Sequence, residues 1–430
     1  MRINQARTVV GYMKRTLTET QLYTLLESMK LINSTLDLDE LLAIIMQEIT
    51  INLKADRGTL YIVDETSREI WSKIAQGDKQ LEIRQAIGKG ISGYVAKTGE
   101  SINIPDAYKD PRFNPAVDKK SGYRTRSILC LPVLDKTGKI IAVLQLLNKK
   151  NGRFNKKDQQ FASVFADYIS LAIQNAQLYQ EALERKRLEN EIELAGEIQK
   201  MLIPASPPRL DNYEMFAYHH PSKFIGGDYY DFFLKPDSLC LIVADVSGKG
   251  IPAAMLMANL QATVHNLLTK IQSNKEIVSI INKHLYSVTT PDKYATLVWG
   301  DLRLTDHSLR YITAGHVPPL LFSTNGKSIQ VSELPKASIP VGMMPEFDFE
   351  EGKIQLHPND LLLICSDGIT EAQNRAEEMF ESDRLKAIVQ KNYQQTLNAI
   401  GNEIIQQVKD FSRSGSYEDD ISLVMIRRKS

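Results

Sequence analysis

From Phe154 to Ile203 the chain runs fifty residues with no proline and a single glycine, Gly196. Such a run reads as one long helix or two joined ones, since neither helix breaker interrupts it. Within it Phe165, Ile169, Ala172, Ala176, Tyr179 and Leu183 alternate steps of four and three, the spacing of a coiled-coil seam. Leu188, Ile192, Ala195, Ile198 and Leu202 form a second stripe. The step of five from Leu183 to Leu188, across charged Glu184 to Arg187, turns the apolar face by about 140°. Two seams therefore meet at a phase break. A solitary spacer helix would bury one stripe on its own domain. An identical helix in a second subunit would cover both, so a parallel homodimer through this helix is expected. The helix stops at the three prolines of IPASPPRL. It divides the chain into an N-terminal extension (1–19), a first folded segment (20–160), a helical linker (161–205) and a second folded segment (206–430).

The 430 residues carry 52 Lys and Arg against 52 Asp and Glu, with 43% hydrophobic residues. That balance suits a multidomain soluble protein and gives no basic face for nucleic acid. The N-terminal MRINQARTVVGYMKRTLTET lacks the apolar core of a signal peptide, and no window offers the ~18 apolar residues of a membrane span. A cytoplasmic protein without membrane insertion is expected. Cys130, Cys240 and Cys365 lie inside apolar runs and read as buried strand thiols. An odd count without CxxC spacing argues against a disulfide framework or zinc ribbon.

Two amphipathic stretches, LYTLLESMKLINST and LDELLAIIMQEITINL, open the first segment as helices. Short β-rich runs follow (GTLYIVD, EIWSKIAQ, ESINIPD, RSILCLPVL, KIIAVLQLLNK), which suggests an antiparallel sheet with flanking helices. In the second segment FFLKPD, LCLIVADVS, ATLVWGDLR, LRYITAG, LLLICSDG and ISLVMIRR read as strands. They alternate with helical PAAMLMANLQATVHNLL, NKEIVSIINKHLYSV and TLNAIGNEIIQQVKDF. The whole is an α+β multidomain chain.

Four acidic sites in the second segment share one local grammar, an Asp ending an apolar strand or sitting in a glycine turn. They are Asp228 and Asp231 in FIGGDYYDFF, Asp245 in LIVADVSGKG, Asp367 in LLLICSDG, and Asp419 with Asp420 in SYEDDISLVM. Each alone could be a turn or cap residue. Gathered at buried strand ends they would repel one another, and a divalent hard cation is their natural partner. Gly226, Gly227, Gly248, Gly250 and Gly368 would let backbone approach an ion or phosphate. No nucleophile elbow, Walker loop or HExxH is present, which favours metal-activated water over a covalent nucleophile.

The ordered motifs ELAGEIQKMLIP, GGDYYDFF, IVADVSGKGIPAAMLMA, YATLVWGDL, YITAGHVPPLL, LLLICSDGITEA and EDDISLVMI, spanning 188 to 428, resemble the PPM-type metal-dependent Ser/Thr protein phosphatases in their bacterial SpoIIE/RsbU-like branch. The resemblance implies an αββα sandwich with two or more Mn²⁺ or Mg²⁺ ions at one end of the sheets. It makes Asp245, Asp367 and Asp419 catalytic metal ligands, joined by the Val246 carbonyl and by Asp420, with catalytic Asp228 binding a metal directly or orienting its waters. Where eukaryotic members place a phosphate-binding Arg, this chain has Lys223. His219, His220 and His316 are candidate acids for the leaving group. GGDYYDF is also similar to the GGDEF signature of diguanylate cyclases, but Tyr229 follows Asp228 and the other motifs have no place in a cyclase.

The stretch from IGKGISGYVAKTGE to FNKKDQQF resembles a GAF domain of the branch that binds cyclic nucleotides. Asn148, Lys149, Phe154 and Asp158 match that branch's signature, whose final Glu is here Gln159. These residues either pin the linker helix to the sheet or border a ligand. A small-molecule ligand, if one binds, would touch Ser92 and Gly93 at a helix N-terminus and Asp106, Ala107 and Thr125 around a base. Taken together, the resemblances imply a GAF-regulated phosphatase that acts on a phosphorylated signalling protein, an anti-sigma-factor antagonist. The alternative is a catalytically silent scaffold that binds a phosphoprotein.

Overall fold

A computed structural model describes residues 37–76, 83–290, 292–324, 328–334, 338–413, 415 and 417–430. The expected N-terminal extension and the first amphipathic stretch, 22–35, lie outside them. The chain divides into two compact units between Lys186 and Arg187.

Helix α1 (Leu38–Asn52) starts at Asp37, whose Oδ1 accepts from the backbone N–H groups of Asp39 at 2.8 Å and Glu40 at 3.2 Å. Its Leu41, Leu42, Ile45, Met46 and Ile49 recur at helical spacing and are buried. Strands β1 (Ala55–Asp64), β2 (Glu69–Ala75) and β3 (Arg84–Ala86), helix α2 (Gly90–Thr98), β4 (Ile102–Ile104), helix α3 (Ala116–Ser121), β5 (Ile128–Leu134) and β6 (Ile140–Lys149) follow. They build a six-stranded antiparallel sheet of order β3-β2-β1-β6-β5-β4. One face packs on α1 and on the start of helix α4 (Lys156–Lys200), and the other on α2.

Helix α4 corrects the seam assignment in its first half. Phe161, Phe165, Ile169, Ala172 and Ile173 pack into the core of their own unit, so Phe165, Ile169 and Ala172 cannot serve a dimer. That core runs to Ile173, past the expected boundary at 160. Further along, Leu178, Tyr179, Leu183, Leu188, Leu194 and Ile198 are exposed.

The second unit contains β7 (Tyr213–His220), β8 (Tyr229–Leu234), β9 (Ser238–Val246), α5 (Ile251–Leu268), α6 (Asn274–Val288), β10 (Ala295–Arg303), β11 (Ser308–Ala314), β12 (Leu320–Thr324), β13 (Ile329–Glu333), β14 (Gly352–Gln355), β15 (Leu361–Cys365), α7 (Asp367–Thr370), α8 (Glu381–Asn392), α9 (Leu397–Phe411) and β16 (Ile421–Arg428). Two five-stranded antiparallel sheets result, β14-β11-β10-β9-β8 and β13-β12-β15-β16-β7. Leu362, Ile364, Val424 and Ile426 of the second sheet share one buried core with Leu241, Val243 and Val298 of the first, whereas Trp299 turns to the outer helices, its Nε1 donating to Asn274 Oδ1 at 3.0 Å. Helices α5 and α6 cover the first sheet's outer face, while α8 and α9 cover the second's. This is the αββα sandwich. No helix among the described residues is long and apolar enough to cross a membrane. Cys130, Cys240 and Cys365 are free, buried thiols.

Candidate metal centre

Antiparallel pairing decides where the acidic residues go. Tyr229 pairs with Ala244, so Asp228 before β8 and Asp245 in β9 share one end of the first sheet. Cys365 pairs with Leu423, so Asp367 after β15 and Asp419 and Asp420 before β16 share one end of the second. The hydroxyl of Ser366 joins these two strand ends, accepting from Ser422 N at 2.9 Å.

The carboxylates feel one another across the two sheets. Asp228 is 1% exposed, and its buried Oδ2 has no hydrogen-bond partner among the described residues. Burial pushes its carboxyl up to about 7, tempered by Ser366 and reinforced by the charge of Asp420. Asp245 is pushed up to about 9, first by burial and then by the charges of Asp228, Asp367, Asp419 and Asp420. Asp367 is raised by burial, then by Glu371 and Asp419.

Glycines make room among them. A Cβ on Gly227 would lie 2.7 Å from the Val246 carbonyl oxygen and 3.4 Å from Asp245 Oδ1. On Gly368 it would lie 2.0 Å from the Asp420 carbonyl oxygen. Contacts under 3.0 Å are sterically closed to any side chain, so both positions need glycine.

Not every expected residue joins the cluster as a free donor. Asp420 spends both oxygens on the neighbouring loop, Oδ1 accepting from Ser222 N (2.8 Å) and Ser222 Oγ (3.0 Å), and Oδ2 from Gly227 N (2.7 Å). Asp231 stands in a separate network with the Tyr229 hydroxyl and His265 Nε2, each at 2.8 Å. Lys223 is exposed on the loop that Asp420 pins. Lys249 supplies the cation at the centre instead. Its Nζ lies 2.9 Å from Asp419 Oδ2 and donates to the Glu418 carbonyl at 3.1 Å. Among the described residues, no three His, Cys, Asp or Glu side chains converge closely enough to hold one ion.

The candidate acids are differently disposed. His219 shares a hydrogen bond of 3.1 Å with Ser422 Oγ, and burial depresses it to about 4 against the pull of Asp420. His220 meets the Tyr417 ring edge-on. His316 is buried, with Nδ1 3.0 Å from the Val317 carbonyl.

In the first unit Asn148 holds a left-handed turn at φ 52°. Its Oδ1 accepts from Arg126 N (2.5 Å), and its Nδ2 donates to Tyr123 Oη and the Arg124 carbonyl (both 2.8 Å). Lys149 pairs with Asp158 at the start of α4, and Asn103 Nδ2 donates to the Phe154 carbonyl at 3.0 Å. Thr125 Oγ1 donates to Asp118 at 2.8 Å, and Ala107 N donates to the Arg126 carbonyl at 2.7 Å. Ser92 accepts from Gln85 Nε2, and Asp106 faces Lys109 at 3.5 Å. Gly93 packs so tightly that a Cβ would lie 2.8 Å from the Ala86 carbonyl oxygen.

Two packed sheets with acidic strand ends and helices outside define the class, a PP2C-like phosphatase fold. The family model for stage II sporulation protein E (SpoIIE) matches residues 235–429, and the GAF domain model matches residues 37–173. The SiaA-PP2C domain of Pseudomonas aeruginosa superposes with a TM-score of 0.51 at 19% identity, covering 57% of this chain and 99% of that domain. Dual 3',5'-cyclic-AMP and -GMP phosphodiesterase 11 of Drosophila melanogaster is 39% identical over 169 residues, covering 35% of this chain and 12% of the relative. Probable 3',5'-cyclic phosphodiesterase pde-5 of Caenorhabditis elegans is 44% identical over 137 residues, covering 29% of this chain and 19% of the relative. The chain thus spans less than a fifth of the length of the curated relatives it matches. Residues 235–429 thus match a SpoIIE-type (PP2C-like) domain, preceded by a GAF domain over residues 37–173.

Proposed function

We propose that the second unit is a metal-dependent phosphoprotein phosphatase, with Asp228, Asp245, Asp367 and Asp419 shared between two Mn²⁺ or Mg²⁺ ions, since no three of them converge on one, and with the Val246 carbonyl as a further ligand. The observation that carries this reading is the buried, unpartnered Asp228 Oδ2 beside the Asp245 carboxylate. A buried carboxylate oxygen with no donor is costly, and hard cations take such oxygens by preference. Gly227 fits this use, because any side chain there would fill the space beside the Val246 oxygen. When bound, two such ions supply Lewis acidity toward phosphoryl oxygens and a water of lowered pKa.

The residues themselves do the rest. Asp420 fixes the Ser222 to Gly227 loop and so positions Asp228; in this reading it is a clamp in place of the ligand expected from the resemblance. Lys249, at the exposed edge of the cluster, offers a cation to a phosphoryl oxygen of the incoming substrate. Burial depresses His219 to about 4, which disfavours it as the acid for the leaving oxygen.

By family resemblance the substrate is a phosphoserine or phosphothreonine of an anti-sigma-factor antagonist in the bacterial cytoplasm. The GAF domain gates the reaction through a homodimer built on the exposed part of α4, and cyclic nucleotides are the first ligands to try. The Asn148, Lys149, Phe154 and Asp158 set pins α4 to the sheet in this reading, since its hydrogen bonds run to backbone, Tyr123 and one another. A second reading, favoured by the Lys249 to Asp419 ion pair, keeps Lys249 as the resident cation and leaves a silent phosphoprotein-binding scaffold.

Hydrolysis of p-nitrophenyl phosphate and of a phosphoserine peptide by the full chain separates the two. The phosphatase reading expects Mn²⁺-dependent turnover that EDTA abolishes and Asp245→Asn lowers at least about a hundredfold, the scale of damage at a metal site. Turnover that survives EDTA would remove the metal chemistry, and phosphopeptide binding without turnover would leave the scaffold.

A further inference from the structure

The end of helix α4 grips the loop that presents Asp228. Gln199, only 8% exposed, uses both ends of its carboxamide on one residue. Its Oε1 accepts from Gly226 N at 3.0 Å and its Nε2 donates to the Gly226 carbonyl at 2.8 Å. One helical turn earlier, Gly196 brings the helix so close to the loop that a Cβ would lie 2.3 Å from the Phe224 carbonyl oxygen. Just beyond the helix, the Pro204 carbonyl accepts from the Tyr230 hydroxyl at 2.9 Å, past Asp228 on the other side.

The gripped segment has little freedom elsewhere. Ser222 and Gly227 are bound by Asp420, and the Gly227 carbonyl accepts from Val246 N at 3.4 Å. A Cβ on Gly226 would lie 2.1 Å from Asp420 Oδ2, so the loop has no room to slide. Gln199 thus closes a ring from the helix through Gly226 and Gly227 to Asp420 and Val246, with Asp228 next in the chain. The paired hydrogen bonds tolerate only a few tenths of an ångström, whereas one residue of helical slip moves the end by about 1.5 Å. Any such slip breaks both bonds together.

We infer that Gln199 is a positioning residue that makes the cation affinity of the Asp228 and Asp245 centre depend on the placement of helix α4. The inference rests on the phosphatase reading for the identity of the centre. A buried glutamine could also serve packing alone, and that role would alter thermal stability without altering cation binding. Gln199→Met separates the two, since it preserves length and bulk while removing both hydrogen bonds. Gln199→Glu is the milder companion, keeping the acceptor for Gly226 N and losing the donor to the carbonyl.

The experiment is calorimetric titration of the full-length chain with MnCl₂, alongside turnover of p-nitrophenyl phosphate as a function of Mn²⁺, with folding of each variant checked by circular dichroism. The expected result is a roughly tenfold or larger weakening of Mn²⁺ binding in Gln199→Met, the effect of lost support behind a metal site. The Mn²⁺ needed for half-maximal turnover should rise equally, while the rate at saturating Mn²⁺ stays within about threefold. Gln199→Glu should fall between, and it decides the matter if Gln199→Met does not fold. A folded variant that binds Mn²⁺ as the parent does would overturn the coupling alone, even if its melting point fell. A parent chain that takes up no Mn²⁺, or an Asp245→Asn chain that takes up as much, would overturn the phosphatase reading as well.

Discussion

Asp245 sits where four other carboxylates raise the cost of its charge, and the cation-free centre should therefore depend on pH in a definite sense. Unfolded aspartates titrate near 4. In the folded chain Asp228 titrates at about 7 and Asp245 at about 9, so the fold holds these protons more tightly. The associated stability is complete below the unfolded value and is lost as pH rises through 7 and then 9. Scanning fluorimetry in EDTA should show the second unit's melting point falling steadily between pH 5 and 9, and Mn²⁺ should reverse the fall at the alkaline end. Asp245→Asn should melt higher than the parent in EDTA, by about 2–4 °C for each kcal/mol of relieved repulsion, and should lose the gain from Mn²⁺. A parent melting point flat across this range would mean that the carboxylates are already neutralised by other means. The aspartates were legible in the sequence because each borders an apolar run or sits in a glycine turn, a signal that survives without coordinates. Lys249, Ser366 and Gln199 were not. Lys249 meets a carbonyl 169 residues away and Asp420 meets Ser222 across 198, and no local pattern records such distances. Even so, Lys249 and Gln199 stood inside the quoted motifs, as bystanders.

Among the elements, those with a full buried face were readable and those without were not. Helix α6 announces itself through Ser273, whose hydroxyl accepts from Glu276 N, and through Ile277, Val278, Ile281 and Leu285 on one face. Strands β13 and β14 lie at sheet edges without a buried residue, so their sequences carry little apolar alternation. Helix α8 has no capping side chain and starts at Glu381 with φ 60°, which hides its entry. Helix α2 was anticipated only through its N-terminus at Ser92 and Gly93, because Gly90 and Gly93 weaken its helical signal, and packing demands the second. Helix α4 shows the opposite error, because a seam spacing is also the spacing of a helix packed on its own sheet. Phe165, Ile169 and Ala172 went to the domain core, whereas Leu183 and Leu188 remain 47% and 54% exposed. If that exposed part pairs with a second copy, Leu183→Glu with Leu188→Glu should turn a dimer into a monomer in sedimentation, with each unit's melting point nearly unchanged. A chain that is already monomeric would confine α4 to its own polypeptide.

At the scale of the molecule, one helix begins in the GAF domain's core and ends with Gln199 on the loop of the acidic centre. Its charged middle, Glu184 to Arg187, has no core to serve: Leu183 and Leu188 on either side are exposed, and Arg187 pairs with Glu191 one turn on. Inserted residues there disturb neither domain's packing, but they change the helical phase between the residues on either side of them. Two added alanines rotate everything beyond them by about 200° and advance it by about 3 Å. Seven rotate it by about 700°, within about 20° of two whole turns, and preserve a heptad seam. If α4 carries torsion between the units, the two-residue insertion should change the Mn²⁺-dependent rate of the full chain by about fivefold or more, the scale of ordinary intramolecular coupling. The seven-residue insertion should restore it although it is the larger change. Phase, not length, would then govern the rate, because only phase decides which side of the helix meets its partner. Equal rates in all three chains would reduce α4 to a tether, and a monotonic decline with length would replace rotation by distance.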